Sequence, residues 1–432
     1  MTTKAIRGTQ DILPGQVEIW QRVEESARRT FALYGFQEMR TPIFEHTAVF
    51  LKTTGESTDI VQKQMYRFTD MGGNDLTLRP EGTPPVIRAY LEHQLGQGRS
   101  IARYYYIGPM FRYERPQQGR YRQFHQIGVE VLGTESAHLD AEVIEMVMRW
   151  LRDLGVRDLR LLINTVADEP SRVAYRKALV RAQAGHLDEL CSDCHRRHRE
   201  NPLRVFDCKV DTCQPVIAQL PSIHDYLSDT SASHFERLRE VLGSWGMDYE
   251  IDPRMVRGLD YYRETVFEIT SGALGAQDSL VGGGRYDGLV AQMGGREVPG
   301  VGFAAGIERI VLAMGGQPEA TAADVFVVAF DDSTVSAVHT IVHQLRAAGV
   351  RALCAAYDGR SKKAQGSAAR RSRAPWQLVV GPDEVQSDRY TLRRLADDRR
   401  LECSGEALVS TALSLANEPA ANPTGSESRN DG

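Results

Sequence analysis

Apolar residues at Ile19, Val23, Ala27, Phe31 and Tyr34 recur every three or four positions, which predicts an amphipathic helix ended by Gly35. A short strand over 36–43 follows. The segments 101–112 and 124–132 alternate aromatic or β-branched residues with others and predict two strands, joined by a polar, arginine-rich loop over 113–123. A strong helix is expected over 140–154, closed by Gly155. Residues 170–250 are charged and helical in pattern. Strand character returns over 255–270 and 279–290, and a glycine-punctuated run at 300–302 leads into an apolar helix expected over 303–314. Past 315–318, a continuous apolar strand at 324–330, a helix at 334–348 and strands at 351–355 and 377–380 alternate as in a small doubly wound domain. The tail from 417 lacks apolar anchors and is expected to be disordered.

Composition narrows the class. The chain has 432 residues, 42% hydrophobic and 25% charged, which suits several globular domains and excludes a collagen-like or disordered polymer. No apolar stretch is long enough to span a membrane, no secretory signal is visible, and six cysteines in this length make no disulfide framework, so a cytoplasmic protein is expected. Lys plus Arg number 52 against 57 Asp plus Glu, a net charge of −5. The positive charge is clustered, however, at Arg196, Arg197, Arg199 and Arg204, then at Arg360, Lys362, Lys363, Arg370, Arg371 and Arg373, and again at Arg393, Arg394, Arg399 and Arg400. Solvated faces explain each alone. Together they lean towards a polyanionic partner.

Candidate chemistry concentrates in a few runs. Along 124–132, Gln126, Gly128 and Glu130 share one strand face and Ile127, Val129 and Val131 the other, which fits either a ligand floor where Gly128 leaves room for a substituent or a sheet with one wet face. The preceding loop carries Arg112, Arg115, Arg120 and Arg122, whose planar guanidinium groups suit phosphates, and Phe124 offers a ring for a base. Glu81, Gly82 and Thr83 put a carboxylate and a hydroxyl around a glycine, a clamp for an ammonium group or simply a turn. Glu308 and Arg309 are left unexplained by packing in their helix. Cys191, Cys194, Cys208 and Cys213 resemble a zinc set, but idle cytoplasmic thiols are the plainer reading, His195 and His198 complicate the ligand choice, and no metal is expected. No P-loop, nucleophile elbow or HExxH pair is present.

Seven runs taken together resemble the bacterial histidyl-tRNA synthetases over nearly the whole chain to about 415. They are RGTQDILPG at 7–15, TLRPEGT at 77–83, YYIGPMFRYERPQQGRYRQFHQIGVEVLG at 105–133, NPLRVFDCK at 201–209, RGLDYYRETVFE at 257–268, GGRYDGL at 283–289 and GVGFAAGIERI at 300–310. The run 105–133 is similar to motif 2 of class II synthetases, 300–310 to motif 3, and 19–45 to the dimerising motif 1.

The resemblance implies an α+β chain. A class II antiparallel sheet flanked by helices would occupy 1–168 and 251–320, a helical insertion 169–250 and a C-terminal α/β anticodon-binding domain 324–416, with the tail at 417–432. It implies a homodimer acting on L-histidine, ATP with Mg²⁺, and tRNA(His), through histidyl-adenylate and pyrophosphate release. By motif, Glu81, Gly82, Thr83 and Gln126 would hold the histidine amino group. Glu130 and Tyr262 would flank the imidazole, with Tyr261 and Tyr286 lining its pocket. Arg112, which would also border the histidine, and Arg309 would bind ATP phosphates, with Arg120 beside them. Phe124 would stack on the adenine and Glu114 would reach its amine. Arg257 would be the catalytic arginine, within the histidine pocket, assisted by Arg112 and Arg309. Arg257 and Tyr262 have opposite strand parity, so the run between them must bend. The rival readings are a histidine-sensing regulatory subunit of ATP phosphoribosyltransferase, which usually lacks the C-terminal domain, and a zinc-organised RNA-binding protein without catalysis.

Overall fold

A computed structural model describes residues 3–55, 58, 60–98, 100–256, 259, 261–275, 278–315, 323–356 and 361–416. The chain divides into two compact units, 1–317 and 318–432. Among the described residues no helix is long and apolar enough to cross a membrane.

The first unit is built on an eight-stranded sheet. In spatial order its strands are Gln37–Glu38, Ala102–Phe111, Gln123–Leu132, Gly300–Gly306, Ser279–Arg285, Arg263–Ser271, Leu159–Thr165 and Glu250–Ile251. All neighbours pair antiparallel except the two short edge strands. Ile127, Val129 and Val131 of one central strand, and Val301, Phe303 and Ala305 of the next, bury against the helices Val17–Leu33 and Ala137–Asp153. The opposite face carries Tyr104, Tyr106, Tyr261 and Tyr286, and the site opens there.

The helix Val17–Leu33 buries Ile19, Val23, Ala27 and Phe31, as its periodicity predicts. It stops where Gly35 adopts φ +77°, and the amides of Gly35 and Phe36 return to the carbonyls of Ala32 and Phe31.

Four element boundaries differ from the sequence reading, the first being the strand expected over 279–290, which ends at Arg285 and gives way to the short helix Leu289–Gln292. The apolar run 303–314 is not one helix: a strand continues to Gly306, and the helix spans Ile307–Ala313. Apolar runs of this length fit either period. Here backbone ladders on both sides, Phe303 opposite Val129 and Gly283, decide for strand. The strand expected over 36–43 shrinks to Gln37–Glu38, and a separate strand, Phe44–His46, starts after Pro42, which has no amide to give a ladder. The ladder expected from 255 begins only at Arg263. Arg285 pairs with Arg263 but Gly284 with Val266, a bulge at which Glu264 takes φ +47°. The bend expected between Arg257 and Tyr262 involves residues outside the described ones.

Behind the sheet, Asp140 and Arg285, both without solvent exposure, form an ion pair. Thr265 donates to the same carboxylate over 2.6 Å and His234 lies 3.0 Å from it, so the helix Ala137–Asp153 is fastened to two strands. Burying charges is tolerable because every member has a partner. Between 169 and 250 lie the helices Glu169–Ala184, Ser192–Glu200, Gln214–Ala218 and Asp229–Ser244. The last returns Phe235, Leu238 and Leu242 to the main core.

The second unit is a five-stranded sheet ordered Ala352–Cys354, Val325–Ala329, Trp376–Val380, Arg389–Arg394 and Arg400–Ser404. The first three strands are parallel and the last two antiparallel. The helices Val335–Ala347 and Gly405–Ala416 cover one face, and Lys362–Ser372 packs against the other. The doubly wound pattern is therefore present, with an antiparallel extension that the sequence reading lacked. The tail 417–432 and Arg360 lie outside the described residues.

Candidate active site

A cavity of about 710 Å³ opens on the free face of the large sheet. Its floor is the polar side of Gln123–Leu132. Gln126, Phe124 and the tyrosines 261, 262 and 286 line it, together with Glu81, Thr83, Arg112, Glu114, Arg120 and Arg309. Every described member of the expected histidine and ATP sets thus borders one space, with two exceptions in detail. Gly82 and Glu130 stand just behind the wall, each touching it through a neighbour. Arg257 lies outside the described residues.

At the histidine end, Thr83 heads the helix Thr83–Glu92 and donates to Oε1 of Glu130 over 2.6 Å. Tyr286 donates to Oε2 of the same carboxyl. Burial pushes the Glu130 carboxyl up to about 8, and the two hydroxyls pull against that rise. Glu81 accepts from Thr54 over 2.6 Å and from Tyr261 over 3.0 Å. Burial raises its carboxyl too, opposed by Thr54 and by the Arg112 guanidinium. Tyr261 packs at 4.9 Å from Tyr262 and edge-on at 5.8 Å from Tyr286. Tyr106 and Gln126 line the cavity, and among the described residues the buried Oε1 of Gln126 and the buried Tyr106 hydroxyl have no hydrogen-bond partner, as befits groups awaiting a polar ligand.

Tyr106 also corrects the reading of Gly128. The room left by that glycine holds no ligand substituent: a Cβ there would stand 2.3 Å from the Tyr106 ring and hydroxyl, and one on Gly82 2.2 Å from the same ring. Both glycines admit Tyr106, which the sequence reading missed. Its signal was its register opposite Gly128 in the paired strand.

At the other end, Arg112 donates to the Pro80 carbonyl over 2.8 Å and stacks 5.2 Å from the centre of Phe124. Arg309 donates to the carbonyls of Ser279 and Gly119, at 2.7 and 3.4 Å. Arg120 pairs with Glu114 at 3.5 Å. The loop carrying these residues is clamped at its base. Arg112 N–H donates to Arg122 O, and Arg122 N–H to Gly8 O over 2.7 Å. Gly8 sits at φ +89°, and a Cβ on it would meet Arg122 Cγ at 2.8 Å. The run 7–15 thereby acquires a role. Glu308, unexplained in the sequence, accepts the His125 backbone amide at 2.9 Å and ties the floor strand to the helix Ile307–Ala313.

Away from the cavity floor, the sulfurs of Cys191, Cys194, Cys208 and Cys213 lie within 4.8 Å of one another.

The chain is similar to known proteins along most of its length. The histidyl-tRNA synthetase family profile matches residues 8–310 and the anticodon binding domain profile 324–415. A histidine–tRNA ligase of Solibacter usitatus is 45% identical over 407 residues, 94% of this chain and 98% of the relative. One from Geobacillus kaustophilus is 48% identical over 397 residues, 90% and 93% of the two chains. The apo crystal structure of Staphylococcus aureus histidyl-tRNA synthetase superposes with a TM-score of 0.79 at 35% identity, covering 95% of this chain and 99% of that one. The sensor reading is not favoured, since the match extends through the C-terminal unit and Arg112 and Arg309 stand in the cavity. The chain belongs to the histidyl-tRNA synthetase family.

Proposed function

We propose that the cavity carries out both half-reactions of a histidine–tRNA ligase, with the residues acting as follows. Family membership makes the chain an ATP-dependent ligase that joins histidine to tRNA. Glu81, Thr83 and Gln126 receive the ammonium group of histidine, with Gly82 shaping the turn. Glu130 and Tyr262 hold the imidazole between Tyr261 and Tyr286. A buried site with partners for both ring nitrogens discriminates against analogues lacking them by about 10⁴ or more. Phe124 stacks on the adenine, Glu114 accepts from its amine, and Arg112, Arg120 and Arg309 hold the phosphates. A carboxylate oxygen of histidine attacks the α-phosphorus in line, the bond to the bridging oxygen breaks, and pyrophosphate leaves. A terminal ribose hydroxyl of tRNA then attacks the adenylate carbonyl and releases AMP. Arg257 is the catalytic cation at the α-phosphate, assisted by Arg112 and Arg309, and positioning and charge provide most of the acceleration. Mg²⁺ takes oxygen ligands. Glu268, a carboxylate of the cavity wall, suits it, and the ion supplies neutralisation of the phosphate charge.

The assignments extend to the domains. Residues 1–168 and 251–320 form the catalytic domain, 169–250 the insertion and 324–416 the anticodon-binding domain. The cationic residues Lys363, Arg370, Arg371 and Arg373 meet tRNA phosphates, so binding weakens with salt. Arg393, Arg394 and Arg400 already pair with Asp397 and Asp398 and contribute less. Two copies associate in the cytoplasm through 19–45, where Leu33 and Phe44 stand 67% and 54% exposed.

The observation that carries this reading is the pairing, in one cavity, of a carboxyl-and-tyrosine end with an arginine-and-phenylalanine end. Charging of tRNA(His) with labelled histidine tests it. Charging that needs ATP, and that collapses in Arg112→Ala with histidine binding retained, supports the roles. Full charging by Arg112→Ala contradicts them.

A further inference from the structure

The four cysteines of the insertion come from the start of one helix and two short turns. Cys191 caps the helix Ser192–Glu200 and Cys194 lies in its first turn. Cys208 follows the 3-10 turn Pro202–Asp207, and Cys213 ends the turn Asp211–Cys213. Their sulfurs all lie within 4.8 Å of one another, with Cys191 and Cys208 at 3.9 Å. Four thiolates about 2.3 Å from a tetrahedral ion stand roughly 3.8 Å apart. Disulfide sulfurs stand about 2.05 Å apart, and these cysteines are unbridged.

The surroundings distinguish a metal site from idle thiols. The amide of Cys191 donates to Cys213 Sγ at 3.2 Å, and that of Val210 to Cys208 Sγ at 3.4 Å, hydrogen bonds that favour thiolate over thiol. The histidines that complicated the ligand choice stand aside: His198 Nδ1 is 2.9 Å from Gln183 Oε1, and neither His195 nor His198 belongs to the cluster. The local core otherwise consists of Leu190, Val205, Val216 and Ile217 with a few partly buried neighbours. A core that small needs a staple.

We propose that Cys191, Cys194, Cys208 and Cys213 bind one zinc ion as a closed tetrathiolate that anchors the segment 196–209 at the mouth of the catalytic cavity. Four protein ligands leave no open position, so the ion is structural. Its placement gives it a function. Arg196, Arg197, Arg204 and Lys209 line the cavity, and all four lie between Cys194 and Cys208 or directly beside Cys208. The ligands therefore bracket the basic segment in sequence and fix it in space. The proposal goes beyond the reaction assigned above and its test does not depend on that reaction.

The full chain, purified under reducing conditions without chelator, is assayed for metal by mass spectrometry. About one zinc per chain is expected. Cys208→Ser with Cys213→Ser lowers this at least tenfold, and Cys354→Ser with Cys403→Ser, in the other unit, leaves it unchanged. Should the first pair fail to fold, the native chain still decides: stripped and reloaded with Co²⁺, it shows the visible absorption of a tetrahedral cobalt thiolate. Zinc below about 0.1 per chain without that cobalt spectrum overturns the site. So does zinc retained by the Cys208 and Cys213 double variant. Hydrogen exchange then tests the anchoring. Removing zinc speeds exchange over 192–213 and leaves 137–153 unmoved; equal exchange over 192–213 with and without zinc overturns it.

Discussion

The hydroxyl of Thr83 donates to Oε1 of Glu130 across 2.6 Å, joining the turn that starts a helix to the floor of the cavity. Tyr286 takes the second oxygen. A carboxyl with no solvent exposure is thus held in one orientation before any ligand arrives. Leaving a buried acceptor without its donor costs about 1–3 kcal/mol, so Thr83→Val should weaken histidine binding roughly tenfold by calorimetry. Thr83→Ser, which keeps the donor, should stay near the native affinity. Equal affinity in Thr83→Val would remove the assigned role.

The same carboxyl makes stability depend on pH. Its value rises from an ordinary 4.5 to about 8 in the fold. Between those limits the folded chain keeps a proton that the unfolded chain has released, so stability falls as pH rises. The difference in melting temperature between the native chain and Glu130→Gln, without ligand, should therefore shift against the native chain from about pH 5 to about pH 8 and level off above that. Parallel profiles would contradict the buried environment.

Gly128→Ala tests the packing of Tyr106. The new methyl would lie 2.3 Å from the Tyr106 ring and 2.8 Å from the Phe303 carbonyl. The ring must move into the cavity, and overpacking costs about 1–3 kcal/mol. Loss of histidine binding with a lowered melting temperature is the expected pair. Native binding would mean that the ring has another place to go.

Glu308 and Arg309 are neighbours with separable roles. Glu308→Ala leaves the His125 amide without its acceptor, a loss of about 1–3 kcal/mol in stability, and Glu308→Gln should restore most of it. Thermal unfolding of the two variants checks this. An equally unstable Gln variant would show that the charge matters, not the acceptor.

Much of this was legible before folding. The alternation at 124–132 told which face is floor, because a strand's period of two leaves no other choice. The helix Val17–Leu33 was equally plain from its period and its glycine stop. The break at Gly306 was not legible, since Gly300–Ala313 is apolar enough for either element and only ladders from two distant strands decide it. Tyr106 was hidden for a related reason: its role depends on cross-strand register with Gly128, which no local pattern reveals. Nor does spacing tell that cysteines up to 22 positions apart meet at one point, as Cys191 and Cys213 do.

Histidine-dependent exchange of pyrophosphate into ATP, run with each proteinogenic amino acid in turn, tests the central claim most directly. The account predicts exchange with histidine alone and its loss in Glu130→Gln. Histidine that binds without supporting exchange, or exchange that Glu130→Gln leaves intact and selective, would contradict it.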